Sequence, residues 1–479
     1  MNRNYFTDSR ASFVPATTHA VSKDEAADEL DHQRPETPVP VTRRSILAAA
    51  GVVAGGSVLT SGRPAFSAPA PAKRRRYAIV GTGHRGSGMW GQGVAKTYGD
   101  AIEFVGLYDI NPQRALAARH RIGVNCPTFA SFDEMCERAK PELLAVTTVD
   151  GFHSEYITRA LDRGIDVLTE KPMVIDERQC QAVLDAEKRN QRKIAVAFNY
   201  RYAPKHQKIK EVLLSGAIGR VASVDFHWYL DTSHGADYFR RWHRLRSRSG
   251  TLFVHKATHH FDLVNWWLDA DPVEVTAAAS LKVYGKNGTI RASHCRACPH
   301  TQSCSFYSDI TKDAEKMELY GAACEAVDGY HRDGCVFSED IDIYDTMLAL
   351  VKYSNDVAMS YSVNAFLPYE GYSISFNGEK GRLDVRDYER QPWPVERETD
   401  IYLTQSFGKR VRIDVPSPEG QHGGGDDRLR DVVFHGVGVP DYMRLPDSRA
   451  GAMSCLTGIA ARKSVEFGRP VKVQELVRL

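Results

Sequence analysis

Between residues 76 and 198 the chain alternates short, continuously apolar runs with longer segments of helical period. Tyr77-Ala78-Ile79-Val80, Ile102–Tyr108, Leu143–Thr148, Asp166–Thr169 and Lys193–Phe198 read as strands buried on both faces. The stretches 87–98, 154–163 and 176–189 read as the helices between them. Strands alternating with helices predict a parallel, doubly wound α/β sheet that binds ligands at the carboxyl ends of its strands. After Ala217-Ile218-Gly219-Arg220 the period changes to two. Val221–Trp228, Glu274–Ala279, Thr346–Tyr353, Val357–Asn364 and Tyr372–Asn377 alternate, which predicts a C-terminal α+β domain with an open, mainly antiparallel sheet. The expected organisation is a leader over 1–72, an α/β domain over 73–197, and an α+β domain over 198–479. A Cys-rich insertion near 294–335 interrupts the last of these.

The chain has 479 residues with 62 basic and 60 acidic side chains, so it carries no global field for nucleic acid or an anionic membrane surface. A hydrophobic content of 42% excludes global disorder. The mildly apolar stretch Ser45–Thr60 is too short and too rich in Gly and Ala for a spanning helix, which needs about 20 apolar residues. A membrane protein is therefore not expected. Thr42-Arg43-Arg44-Ser45-Ile46-Leu47 precedes it and has the form of a twin-arginine export signal. Ala70-Pro71-Ala72 is the expected cleavage site, with Ser67 as an alternative. The leader predicts delivery by the twin-arginine machinery to a periplasmic or extracellular location, in a folded state with any cofactor already inserted.

The first strand leads into Gly81-Thr82-Gly83-His84-Arg85-Gly86, a G-x-G-x-x-G turn before a helix. Gly81 permits the tight turn, Gly83 admits a pyrophosphate, and Gly86 lets helix and strand pack closely. This is the fingerprint of a Rossmann dinucleotide-binding domain. His84 and Arg85 read equally well as cofactor contacts or as solvated loop. Asp109 ends the second strand where a ribose diol would be held, which favours NAD, while Arg85 and Arg114 keep NADP open. Thr147, Thr148, His153, Glu170 and Lys171 fall at or near the ends of later strands.

The order of G-x-G-x-R-G, V-x-T-x-x-x-x-H, Glu170-Lys171-Pro172 and Asn199-Tyr200-Arg201-Tyr202-x-Pro resembles the Gfo/Idh/MocA oxidoreductases from about residue 75 to the C-terminus. The resemblance implies a homo-oligomer whose open sheet floors the substrate site. Residues 249–262 are similar to that family's motif G-G-G-x-x-x-D-x-x-x-H-x-x-D. His259 falls on the proton-transferring histidine and Asp262 on the last acid, while His255, followed by Lys256, replaces the middle acid. His255, His259 and Asp262 are spaced to share one helix face. A histidine suits the proton role and a strand-end lysine can hold an alkoxide. Lys171 and His259 are thus the expected reacting pair, with Tyr200, Arg201, Tyr202 and Lys256 near the substrate. His234, Tyr238, Arg241 and His243 mix aromatic and polar groups as sugar sites do. His422-Gly423-Gly424-Gly425-Asp426 reads as a cleft cover or as a linker.

Of nine cysteines, Cys295, Cys298, Cys304 and Cys335 could supply four thiolates to structural zinc or an iron–sulfur cluster; disulfides and free thiols are alternatives. The expected activity is NAD(P)-dependent oxidation at a CH–OH group of a carbohydrate or polyol. Because free nicotinamide cofactor is scarce outside the cytoplasm, an exported enzyme is expected to hold NAD tightly and turn over without net redox change. An alternative is a glycoside hydrolase or lyase working by transient oxidation, elimination and re-reduction. A non-catalytic sugar-binding protein that keeps NAD structurally is a third reading.

Overall fold

The computed structural model describes residues 73–395, 397–416 and 421–478; the proposed leader and twin-arginine motif lie outside them. Strands β1 (Arg75–Val80), β2 (Ile102–Tyr108), β3 (Leu143–Val146), β4 (Asp166–Thr169) and β5 (Ile194–Val196) form a parallel sheet in the order β2-β1-β3-β4-β5. Ala78, Ile79, Leu144, Ala145, Val167 and Leu168 are buried within it, as their unbroken apolar runs require. Side-chain caps start the flanking helices, Asn111 on Pro112–Ile122 and Asp176 on Glu177–Asn190. The helix expected over 87–98 is broken instead into His84–Ser87, a π-helical turn at Gly88–Gln92, and Gly93–Thr97. Gly91 lies so close to Ile122 that an added Cβ would sit 2.5 Å from its side chain, so the glycine-rich helix yields to its neighbour.

The second sheet has nine strands: β6 (Val221–Asp231), β7 (Pro272–Ser280), β8 (Thr346–Tyr353), β9 (Ala358–Leu367), β10 (Glu370–Gly378), β11 (Gly381–Arg390), β12 (Thr399–Gln405), β13 (Arg410–Ile413) and β14 (Val471–Lys472). Their order is β13-β12-β11-β10-β6-β9-β8-β7-β14, antiparallel except for the β6–β9 pair. One face carries buried Val224, Phe226, Trp228, Val363, Ile374 and Phe376 against helices. The opposite face presents Ser223, Asp225, His227, Ser360 and Ser375, tied by polar cross-strand bonds. The sequence pattern predicted five of these strands.

The two sheets are not served by separate halves of the chain. The helix Ser448–Phe467 returns to the first domain, where the Val196 N–H donates to the Pro446 carbonyl at 2.8 Å and Gly451 packs on Val196 and Met173. Phe434 packs edge-on against Tyr77. Between β7 and β8, residues 281–345 form an excursion that includes the helices Ala314–Tyr320 and Ala322–Asp328. This excursion contains the Cys-rich segment and lies against the helix Pro112–Ile122. No helix of the described residues is long and apolar enough to cross a membrane.

Candidate active site

The glycine turn, the ends of β3 and β4, and the segment 252–268 open onto one cavity of about 1370 Å³. A single small-molecule site occupies roughly 300–1,000 Å³, so this space accommodates a dinucleotide and a second molecule. Its nucleotide end fits the expected cofactor. Gly81 has φ +84°, and a Cβ there would lie 2.5 Å from the Thr148 nitrogen; one at Gly86 would lie 2.2 Å from the Gly81 carbonyl oxygen. Only glycine keeps this turn against β3.

Asp109 anchors the turn. Its Oδ2 accepts from the Thr82 N–H at 2.7 Å, and its Oδ1 accepts from the Asn111 N–H and Arg114. Both arginines considered for a 2′-phosphate are already paired. Arg114 bridges Asp109 and Asp328, and Arg85 bridges Glu170 and Asp426. Glu170 also accepts from the Trp90 indole, so it holds the loop wall. Thr147 Oγ1 donates to the Gly81 carbonyl, and the His153 ring lies between the carbonyls of Pro172 and Thr148. These residues set the shape of the nucleotide end. His84 pairs with Glu315 of the insertion at 2.7 Å.

At the other end Lys171 Nζ donates to the His255 carbonyl at 3.1 Å, and burial pushes its pKa down to about 8. His255 Nδ1 lies 2.5 Å from Asp150 Oδ2. Burial lowers the His255 imidazole and keeps it neutral, while the Lys171 and Arg241 cations oppose the burial that raises the Asp150 carboxyl, so we assign the His255 Nδ1–H as donor to a carboxylate. Nε2 is then the basic nitrogen, with a carboxyl group behind the ring. Asp150 thus brings a carboxyl group to His255 from outside the motif. His259 stacks on Tyr200 with ring centroids 4.3 Å apart, its Nδ1 has no hydrogen-bond partner among the described residues, and burial holds its pKa well below the usual histidine range. Lys256 sits over the Trp228 ring at 4.7 Å.

The substrate-side expectations divide. His234 bonds Glu370 at 2.7 Å and Tyr238 at 2.9 Å, His243 stacks on Trp242, and Arg241 pairs with Asp237; His234, Tyr238, Arg241 and His243 all line the cavity. Tyr200 and Lys256 line it too. Arg201, Tyr202 and Asp262 do not. Arg201 forms a two-pronged pair with Asp262 at 2.8 and 2.6 Å, and the Tyr202 hydroxyl donates to the Met443 carbonyl inside the protein. The helix expected to carry His255, His259 and Asp262 on one face is interrupted at Lys256, with helices at Leu252–His255 and Ala257–Leu268. The two histidines reach the cavity and Asp262 turns to the guanidinium. That pair ties this helix to Arg201.

Sequence reading missed Asp150, Glu370, Glu389 and Arg332 on the cavity wall. Asp150 had a signal, since it follows β3 by four residues, where ligand-binding side chains of such sheets gather. His422 also lines the cavity. Its partner Asp426 accepts from Asn199 and Arg85, so the glycine loop is joined to the site.

Cys295, Cys298, Cys304 and Cys335 line one small recess with Arg240, Phe306 and Val336, and all nine cysteines are free thiols. Arg240 donates to Cys295 Sγ at 3.2 Å, and the backbone N–H groups of His300 and Phe337 donate to Cys298 and Cys335 at 3.4 Å. Among the described residues, the three potential ligand atoms lying within 4.8 Å of one another belong to Glu325, His331 and Asp333, two of which are already neutralised by Arg296.

Residues 75–198 match the family described as "Oxidoreductase family, NAD-binding Rossmann fold", and residues 210–473 match its C-terminal alpha/beta domain. YteT of Bacillus subtilis (strain 168) is 38% identical over 425 residues, covering 85% of this chain and 99% of the relative. An inositol 2-dehydrogenase/D-chiro-inositol 3-dehydrogenase of Lactiplantibacillus plantarum is 26% identical over 197 residues, 41% of this chain and 53% of the relative. The fold is that of the WlbA dehydrogenase of Bordetella pertussis, solved with NADH and UDP-GlcNAcA (TM-score 0.57, 19% identity, 84% of this chain and 99% of the other). An aldose-aldose oxidoreductase of Caulobacter crescentus shares it (TM-score 0.56, 15% identity, 84% and 100%). With both domains matched in order around the cavity just described, the chain belongs to the Gfo/Idh/MocA oxidoreductase family and is an NAD(P)-dependent oxidoreductase.

Proposed function

We propose that the protein oxidises a CH–OH group of a carbohydrate or polyol with a tightly held NAD that is restored within each cycle. The observation that carries this reading is the placement of Lys171, His255 and His259 at one end of the cavity whose other end is the glycine turn. A nicotinamide dinucleotide held at the glycine turn of Gly81, Gly83 and Gly86 would supply the hydride acceptor. The chain itself supplies an ammonium at Lys171 that holds the hydroxyl and its developing negative charge, and a neutral imidazole at His259 that takes the proton. Tyr200 and Lys256 shape the floor, and Glu370 with His234 offers a bidentate partner for sugar hydroxyls. The pairing of Arg85 and Arg114 with four carboxylates favours NAD over NADP, since neither is left for a 2′-phosphate.

A second reading rests on the second buried imidazole. Cleavage of a glycoside by transient oxidation needs one base for the hydroxyl and another for the carbon acid made by that oxidation. His259 and the carboxyl-backed His255 supply two.

The test incubates the purified protein, without added NAD, with free sugars, inositols and aryl glycosides. A free sugar or polyol is expected to convert retained NAD to NADH in a single turnover, and a ketose or aldose acceptor to reverse it. Release of the aglycone with deuterium uptake at C2 selects the second reading. Turnover that requires added NAD at every cycle overturns retention.

We further propose that Cys295, Cys298, Cys304 and Cys335, which line one recess, draw together as a structural thiolate site for zinc or an iron–sulfur cluster; among the described residues no three of their sulfurs lie within 4.8 Å of one another, so the site forms only on binding. Elemental analysis of the purified protein is expected to find one of these at stoichiometric amount. Protein free of zinc and iron that keeps its cooperative melt overturns the proposal.

A further inference from the structure

The excursion between β7 and β8 folds back across the nucleotide-binding domain rather than outward into solvent. The Tyr320 hydroxyl accepts the His84 N–H at 2.8 Å, and a Cβ on Gly83 would lie 2.9 Å from that same oxygen. Gly83 and the helix N-terminus after it are the groups a dinucleotide fingerprint turns toward the pyrophosphate. A polar atom from residue 320 therefore stands where the fingerprint expects a phosphate oxygen.

The anchoring around Tyr320 is dense. Asp328 accepts from Asn111 at 2.8 Å and from Arg114 at 2.8 Å. Arg114 also donates to the Leu319 carbonyl, and its guanidinium lies over the Tyr320 ring, 5.2 Å from the centroid. Asn111 donates in addition to the Cys324 carbonyl at 2.9 Å. Glu315 binds both His84 and Arg121. Asn111 and Arg114 are the residues that follow Asp109, so the excursion is fastened to the loop expected to hold the adenosine ribose.

We infer that the inserted segment is part of the dinucleotide site. Tyr320 is a cofactor-binding residue whose hydroxyl passes from the His84 N–H to the pyrophosphate, and Asp328 locks the segment over the adenosine half through Asn111 and Arg114. The inference rests on the NAD-binding reading above and deepens it. A Rossmann domain alone leaves its dinucleotide along an open crevice, from which it exchanges freely. A segment fastened both to the glycine turn at His84 and to the loop and helix after β2 must open before the cofactor leaves, so release is gated by the segment. Such a gate suits a cycle in which the nicotinamide is oxidised and reduced without departing.

The experiment loads the full-length purified protein with NADH, mixes it with excess NAD, and follows the loss of protein-bound NADH fluorescence. Asp328→Ala, which frees Asn111 and Arg114 together, is expected to release NADH at least tenfold faster than the parent. Tyr320→Phe, which keeps the ring under Arg114 and removes only the hydroxyl, is expected to release it several-fold faster. Glu318→Gln, at the exposed outer edge of the segment where it meets His120 at 3.1 Å, is expected to leave the rate unchanged. Release by Asp328→Ala and Tyr320→Phe within twofold of the parent overturns the inference. If Asp328→Ala does not fold, the isosteric Tyr320→Phe decides alone. A parent protein that binds no NADH overturns the NAD-binding reading itself, which distinguishes the two failures.

Discussion

Lys171→Ala is expected to lower kcat by roughly 10²–10⁴-fold while the dinucleotide remains bound. The half-buried ammonium donates to the His255 carbonyl and faces Asp150 and Glu170, which oppose the desolvation that lowers its pKa. Truncation removes the strand-end cation that donates to the His255 carbonyl, and with it the charge proposed to hold an alkoxide. The same residue dictates the pH profile. Its pKa of about 8 keeps it charged at neutrality, so the oxidative rate should fall as pH rises through about 8. No acid limb should appear near 6.5, because burial keeps His255 and His259 neutral well below that pH. Lys171→Arg, whose guanidinium does not lose its proton, should retain residual activity without the alkaline limb. Measurement of kcat against pH on both variants checks this. A Lys171→Ala enzyme with near-parental kcat removes the lysine from the chemistry.

The second large effect is expected at Asp150. Asp150→Asn should reduce the rate of aglycone release by roughly 10²–10⁴-fold at unchanged NADH affinity. The change keeps the volume of the side chain but removes its charge, and an amide can present its NH₂ to the ring as readily as its oxygen. His255 is then no longer held with Nε2 as the acceptor. The aryl glycoside and free-sugar reactions separate its roles. If His255 serves only the elimination, Asp150→Asn loses aglycone release and keeps reduction of the bound NAD by free sugar. Parental rates in both reactions mean that the Asp150–His255 bond only packs the helix.

The nucleotide domain was legible in the sequence because its signals are local. A glycine turn between strand and helix, an acid ending the next strand, and Glu170-Lys171-Pro172 each fit within a few residues. The strands β6 to β10 were legible from their alternation. Strands β11 to β13 went unread, because Arg382, Asp384, Arg386, Arg410 and Arg412 give them a charged appearance although Leu383, Val385 and Ile401 are buried. The site was legible only where one segment carries it. The carboxyl partner of His255 lies 105 residues away, and the contact of Tyr320 with the fingerprint spans 236. No spacing rule reaches such pairs. Asp262 and Arg201 were misplaced for a related reason. Each has a residue type that substrate sites use, but 61 residues apart they satisfy one another.

The return of the C-terminal helix to β5 reverses the order in which this protein is made and the order in which it is finished. A ribosome delivers residues 75–198 first, yet β5 remains a bare edge, with its Val196 N–H unpaired, until Pro446 arrives. Met173, which follows the reacting lysine by two residues, likewise awaits Gly451 for its cover. The nucleotide-binding half thus stays incomplete on the nascent chain. Its last wall is laid only when Pro446 and Gly451 arrive, so a cofactor can be sealed in only after the whole second sheet up to β13 has been made.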